Sequence, residues 1–381
     1  MAAENEQKIS SVQLASMMFM TTLATGIISA SSITYSQARG DSWLTPLPAS
    51  VTGYIVVWLV TDLYKRYPGC TVIGYSERIL GRVGGKAVSL LLLLELLLLN
   101  GNQFRQFGEF LTQSFFGHTP MIFLIGTLAV AVAYAVGKGV EIVGRLAALI
   151  SCVVVIIVLG LMLPIAGDMS LGRLLPLFEQ GPTPMLRGAA ALQIWFPTFM
   201  LMSYFLPRVG NPEQARRWGY YSVTWTLVAI MGSMIISQAV LGEAVGFYYY
   251  PFMTLSRFVS AFDFFEHLES LVMILWVLDL FVRSVVSGYA FAISYAEWTG
   301  VSDYRVCLLP CILLMVTMSF WIAPDAASYM ANSLKNVVFY YFLAHFVVPV
   351  VLWLVAVLRR HKYKQLTSPH QPPVDSGYAE T

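Results

Sequence analysis

A chain of 381 residues that is 57% hydrophobic and only 12% charged, with a mean hydropathy of +0.68, cannot be divided into the two or three water-soluble domains its length would allow. Its formal net charge of +2 gives no footing for nucleic acid or strongly acidic partners. Apolar runs recur from Leu14 to Leu358, and a bilayer core requires about twenty such residues per helix, so the fold class is an all-α polytopic membrane protein.

In chain order, the runs predict ten transmembrane helices near 11–35, 44–63, 87–112, 120–137, 146–165, 187–207, 218–242, 269–297, 305–323 and 336–358. Residues 1–10 form a short polar lead, 11–360 the transmembrane domain, and 361–381, rich in Pro, Ser, Gln and charge, a tail with nothing to bury. Span one carries Thr21, Thr22, Thr25, Gly26 and Ser29 near its middle. Span three is the most polar. At roughly 100° per residue, its Glu95, Asn102, Gln106, Glu109 and Gln113 fall within an arc of about 60°, with Arg105 on the flank. Each ionisable group inside a span costs about 2.5–3.5 kcal/mol on insertion scales, so this stripe must face the bundle interior or a water-filled cavity. Arg105 and Glu109, one turn apart, are expected to form a structural ion pair. Asn102 and Gln106 are candidates for lining a ligand path, and Glu95 is a candidate protonation site if the chain couples to protons.

Span six is interrupted at Phe196-Pro197-Thr198, where Pro removes a helical hydrogen bond and costs about 3 kcal/mol. The long connections 167–186 and 243–266, the second with Tyr248, Tyr249 and Tyr250, are expected to fold onto the mouth of the bundle. Span eight holds Asp279 and Arg283 one turn apart, read as a buried bridge locking helix packing, followed by Ser284 and Ser287. His345, a lone imidazole among Phe and Val in span ten, reads as a packing residue. Cys307 and Cys311 sit at helical spacing without a His or acid to complete a metal site. There is no GxSxG, HExxH or P-loop motif, so neither catalysis nor a cofactor or metal is expected.

An even number of spans puts both termini on one side, and the basic residues orient them. Of 23 Lys and Arg, sixteen fall on the terminus side, five on the other and two inside spans, which places both termini in the cytosol. Ten helices divide into two sets of five, about 11–165 and 187–358, and an odd set size makes the second run opposite to the first. That is the inverted-repeat plan of many transporters, whose first and sixth helices are broken. Breaks at Thr25-Gly26 and Pro197-Thr198 would free backbone groups that lipid cannot satisfy and that suit a zwitterion. The alternative at each position is plain packing, a Gly at a close helix crossing and a Pro kink.

The strings Phe104-Arg105-Gln106-Phe107-Gly108-Glu109-Phe110, Thr119-Pro120, Gly139-Val140-Glu141-Ile142-Val143-Gly144-Arg145-Leu146 and Leu206-Pro207 resemble the spore germination permease family. These are GerAB-type B subunits of germinant receptors, within the amino acid, polyamine and organocation transporter superfamily. The resemblance runs from Ile9 to about Arg360. It implies a LeuT-like 5+5 fold in the spore inner membrane, assembled with an A subunit and a lipoprotein C subunit. It further implies a small nutrient ligand, often an amino acid, bound at Thr25, Gly26, Asn102, Gln106, Pro197, Thr198 and Ser287. The alternative reading is a proton- or sodium-coupled amino-acid permease.

Overall fold

The computed structural model describes residues 8–258, 268–325, 328–329 and 338–359, and every regular element among them is helical. Span one is two half-helices, α1 (Ser11–Met20) and α2 (Leu23–Ala38), with a 44° bend between 11–20 and 25–44. At the start of α1, Ser10 Oγ accepts from the Gln13 N–H, and Gln13 Oε1 accepts from the Ser10 N–H at 2.8 Å, a reciprocal cap that satisfies two donors. Just before it, Ile9 donates to the Arg208 carbonyl and accepts from the Gly210 N–H, both at 2.9 Å. This short parallel bridge ties the head of span one to the foot of span six.

Helix α3 (Pro46–Arg66) is followed by α4 (Val72–Ser114). The first part of α4 lies between the spans expected at 44–63 and 87–112, yet Val72, Ile73, Tyr75, Ser76 and Ile79 are buried at helical spacing, while interleaved charges keep the hydropathy of the segment low. Gly81, with φ of +83°, lets the chain turn sharply into the membrane-spanning part; a side chain would be strained there. Helices α5 (Met121–Gly137), α6 (Val140–Ile165) and α7 (Thr183–Ala191) come next. From Leu192 to Arg208 span six runs as short 3-10 turns around a single α turn, Met202–Phe205. The chain then forms α8 (Pro212–Leu241), α9 (Pro251–Phe258), α10 (Leu268–Thr299), α11 (Tyr304–Trp321) and, after a π-helical turn at Leu343–Val347, α12 (Val348–Leu358).

Among the described residues, eight helices are long and apolar enough to cross a membrane, nine when the bent pair counts as one span. Met121–Gly137, at 17 residues, reaches only about 25 Å, short of a bilayer core of about 30 Å. Length and composition thus support eight or nine spans and one shorter apolar helix, against the ten expected. The expected tail, 361–381, lies outside the described residues.

The centre of the bundle is α4 packed on α10 and α11, and α1 is lodged between α6 and α8. Two glycines permit close approach. A Cβ at Gly101 would lie 2.8 Å from Met318 Cβ of α11, and one at Gly26 would lie 2.6 Å from Ile230 Cδ1 of α8. Gly26 is therefore a contact between α2 and α8, the packing reading of that position. The Arg105 guanidinium clasps Glu109 Oε1, with Nε and Nη2 both at 2.7 Å. Its Nη1 donates to the Ala323 carbonyl at 3.0 Å, while Gln113 Nε2 donates to Glu109 Oε2 at 2.9 Å.

Breaking a buried, hydrogen-bonded pair leaves an uncompensated charge, so Glu109→Leu should destabilise the protein by about 3 kcal/mol or more, seen as a lowered Tm of the detergent-purified chain. An unchanged Tm would show that the pair contributes nothing. Gly26→Ala should cost about 1–3 kcal/mol by overpacking, and Ile230→Ala in the same chain should recover part of it. A double-mutant cycle on thermal unfolding reads that coupling, and strict additivity would exclude the contact.

Candidate functional site

The break in span one is sealed by its own hydroxyls. Thr21 Oγ1 donates to the Met18 carbonyl at 2.7 Å and Thr22 Oγ1 to the Phe19 carbonyl at 3.1 Å, so carbonyls released at the end of α1 are satisfied without lipid or ligand. The Thr22 hydroxyl also lies 3.3 Å from that of Thr226 in α8. Span six is handled the same way, because Thr198 Oγ1 donates to the Ile194 carbonyl at 3.1 Å beside Pro197.

Thr25, one turn into α2, is where three helices meet. Its Oγ1 accepts from Trp195 Nε1 of span six and from Arg283 Nη1 of α10, each at 2.8 Å. All three residues are buried. Arg283, expected to pair with Asp279 one turn away on α10, also reaches across to span one with its Nη1 donor. A guanidinium is long enough to choose a partner on another helix, which spacing along one helix cannot reveal.

Around this junction lies a cavity of about 50 Å³, room for a few waters. Thr25, Ser29 and Ser32 line it from α2, Asn102 and Gln106 from α4, and Ile194 and Trp195 from span six. Arg283, Tyr329 and Tyr341 close the far side, and Tyr249 and Tyr250 cover it. The Tyr329 hydroxyl donates to Asn102 Oδ1 at 3.0 Å, and Tyr250 is wedged among Phe110, Trp276 and Tyr249 with ring centroids 5.6, 5.8 and 4.6 Å away. Beyond Tyr249 a vestibule of about 520 Å³ opens, sharing Ser32, Ile33, Ile194 and Tyr249 with the inner cavity and reaching Gln37 and Arg187. It lies toward the end of span one farthest from Ile9.

Of the ligand residues expected from sequence, Thr25, Asn102 and Gln106 are brought together in this cavity, whereas Gly26, Pro197, Thr198 and Ser287 stand outside its lining. Ser287 belongs to a separate polar knot, donating to Asn100 Oδ1 at 2.9 Å and Gln103 Oε1 at 3.1 Å, with Ser284 Oγ donating to Gln103 at 3.2 Å. Glu95 meets His345, with Oε1 3.2 Å from Nε2, at the π-helical turn. His345 is thus no isolated packing residue. Trp195, Tyr329 and Tyr341 went unsignalled in the sequence, since each is one aromatic in an apolar or loop stretch; Tyr249 and Tyr250 follow the expectation that their connection covers the mouth. Among the described residues there is no cluster of three His, Cys, Asp or Glu able to hold a metal.

Comparison with known proteins places this geometry. Residues 8–327 match the family described as spore germination protein. In Bacillus subtilis (strain 168), spore germination protein YndE is 23% identical over 301 residues, covering 76% of this chain and 81% of that one. Spore germination protein KB of the same organism is 22% identical over 333 residues, covering 86% and 89%. Among solved structures, Mhp1, a nucleobase-cation-symport-1 family transporter in a closed conformation with bromovinylhydantoin bound, superposes with a TM-score of 0.69 at 14% identity, covering 94% of this chain and 80% of that chain. MhsT in complex with L-phenylalanine gives a TM-score of 0.63 at 12% identity, covering 93% and 99%. At these identities the two establish the fold, that of LeuT-type transporters. The chain therefore belongs to the spore germination permease family, integral membrane proteins on a transporter fold rather than enzymes.

Proposed function

We propose that this protein is the nutrient-sensing B subunit of a spore germinant receptor, binding a small germinant, an amino acid, in the cavity at Thr25. The observation that carries the reading is that cavity: it lies between two interrupted spans, has hydroxyl, amide and guanidinium groups in its lining, and adjoins a larger vestibule at Tyr249. An apolar bundle that served only as scaffold would fill this space, because a buried polar hollow is costly unless something polar occupies it. The solved neighbour MhsT holds L-phenylalanine, which supports an amino-acid ligand here. At about 50 Å³ the cavity is too tight for most amino acids, so binding favours a wider arrangement, and that differential affinity is what shifts the bundle. Partner A and lipoprotein C subunits receive the shift. The protein sits in the spore inner membrane with both termini cytosolic, as the basic-residue asymmetry supports, its repeats spanning about 11–165 and 187–358.

Thr25→Val removes the acceptor shared by Trp195 and Arg283 and should raise the germinant concentration for half-maximal germination about tenfold, a loss of about 1.4 kcal/mol. Thr25→Ser should restore it. Dose–response curves of spores carrying each variant at matched membrane abundance measure this, and equal curves would overturn the reading.

A second reading, proton-coupled transport, is favoured by one contact, the buried Glu95–His345 pair at 3.2 Å. It expects pH-gradient-driven uptake of labelled amino acid into proteoliposomes, abolished in Glu95→Gln; wild-type vesicles without flux would exclude it.

A further inference from the structure

Arg283 is 4% exposed and permanently cationic, yet its hydrogen bonding is incomplete. Nη1 is held by Thr25 at 2.8 Å, while Nε has no hydrogen-bond partner among the described residues. With Nη1 engaged, the edge of the guanidinium that remains is the Nε–Nη2 side, the fork that accepts a carboxylate through two parallel hydrogen bonds. The side chain lines the inner cavity. Among the described residues lining the cavity and its vestibule, the charged side chains are both guanidinium, Arg283 within and Arg187 at the mouth, with no carboxylate in either lining.

We infer that Arg283 is the anion receptor of the cavity and that the ligand class is a small monocarboxylate held by its carboxylate on the guanidinium fork. This inference rests on the small-ligand reading proposed above and gives it a chemical class. Two features make the side chain, rather than the broken helices, the anchor. Gly26, Pro197 and Thr198 at the breaks stand outside the cavity lining whereas Arg283 is part of it, and a charge-assisted bidentate pair is roughly twice as strong as neutral hydrogen bonds. Nε, buried without a hydrogen-bond partner among the described residues, is a costly unmet donor, so a carboxylate that engages it removes that penalty as well as adding bonds. Among the described residues of the lining an ammonium finds no opposite charge, only the amide oxygens of Asn102 and Gln106, hydroxyls and the faces of Tyr249 and Tyr250. It tunes which carboxylate fits and is not the anchor. Arg187, exposed beside the vestibule, draws the same sign of charge toward the entrance.

The test is binding to the purified full-length protein by titration calorimetry. The probes are the proteinogenic amino acids, each with its deaminated acid, its decarboxylated amine and its carboxamide. Binding of an amino acid, retained in weaker form by its deaminated acid and lost by at least roughly 30-fold in the amine and the amide, is the expected pattern. An amine or amide that binds as tightly as the acid overturns the inference and leaves the small-ligand reading standing. Wild-type protein that binds no member of the panel overturns both. Arg283→Lys keeps the charge without the fork and should weaken binding about tenfold, while Arg283→Gln should erase the preference for acid over amide. Because the wild-type panel decides the question alone, a variant that fails to fold does not shelter the claim.

Discussion

A guanidinium in the middle of a membrane bundle cannot shed its charge, and the geometry of this protein is arranged around that constraint. Arg283 is buried in α10 and finds its acceptor on α2, which also takes the indole N–H of Trp195. One threonine oxygen thus fixes the relative positions of the first, sixth and eighth spans. Lipid offers no substitute acceptor, so these three elements cannot separate without leaving a charge and an indole donor unsatisfied. The cavity is the space left beside a junction that must be held open by polar contacts.

The remaining intramembrane polarity is sorted into groups that do not share partners. Arg105, Glu109 and Gln113 close on one another and on the Ala323 carbonyl, and Asn100, Gln103, Ser284 and Ser287 join α4 to α10. Glu95 turns to His345. From α4, Asn102 and Gln106, one turn apart and half-buried, face the cavity. Hydrogen-bonded networks such as the Arg105–Glu109–Gln113 and Asn100–Gln103–Ser287 groups rigidify the bundle around α4.

Much of this was legible in the residues. Apolar runs gave the class and most span positions, and the family strings gave the fold. The stripe on span three marked a helix with polar groups that face inward, Asn102 and Gln106 among them, and the family resemblance pointed to Thr25; all three line the same cavity. What the sequence could not supply was partner choice between helices. Spacing within α10 suggested Asp279 for Arg283 without revealing the reach to Thr25, and the single stripe on α4 divides in the folded chain among His345, the Arg105–Glu109–Gln113 cluster and the cavity. Gly26 and Pro197 illustrate a second limit: interrupters mark where a helix bends, and here the adjacent Thr21, Thr22 and Thr198 hydroxyls take up carbonyls at the bend. The amphipathic start of α4 escaped notice because hydropathy averages over both of its faces.

The pairing of Ile9 with Arg208 and Gly210 involves main-chain atoms alone, so it survives almost any replacement of those side chains. It also yokes the first ten residues of the membrane domain to the far end of the sixth span. Whatever tilts α1 must drag the stretch after Phe205 along with it, and the two interrupted segments behave as one lever whose pivot is Thr25. A tug applied to the polar lead before Ile9 would then be felt at the hollow beside Thr25, some four helical turns away, without any intervening side chain having to relay it.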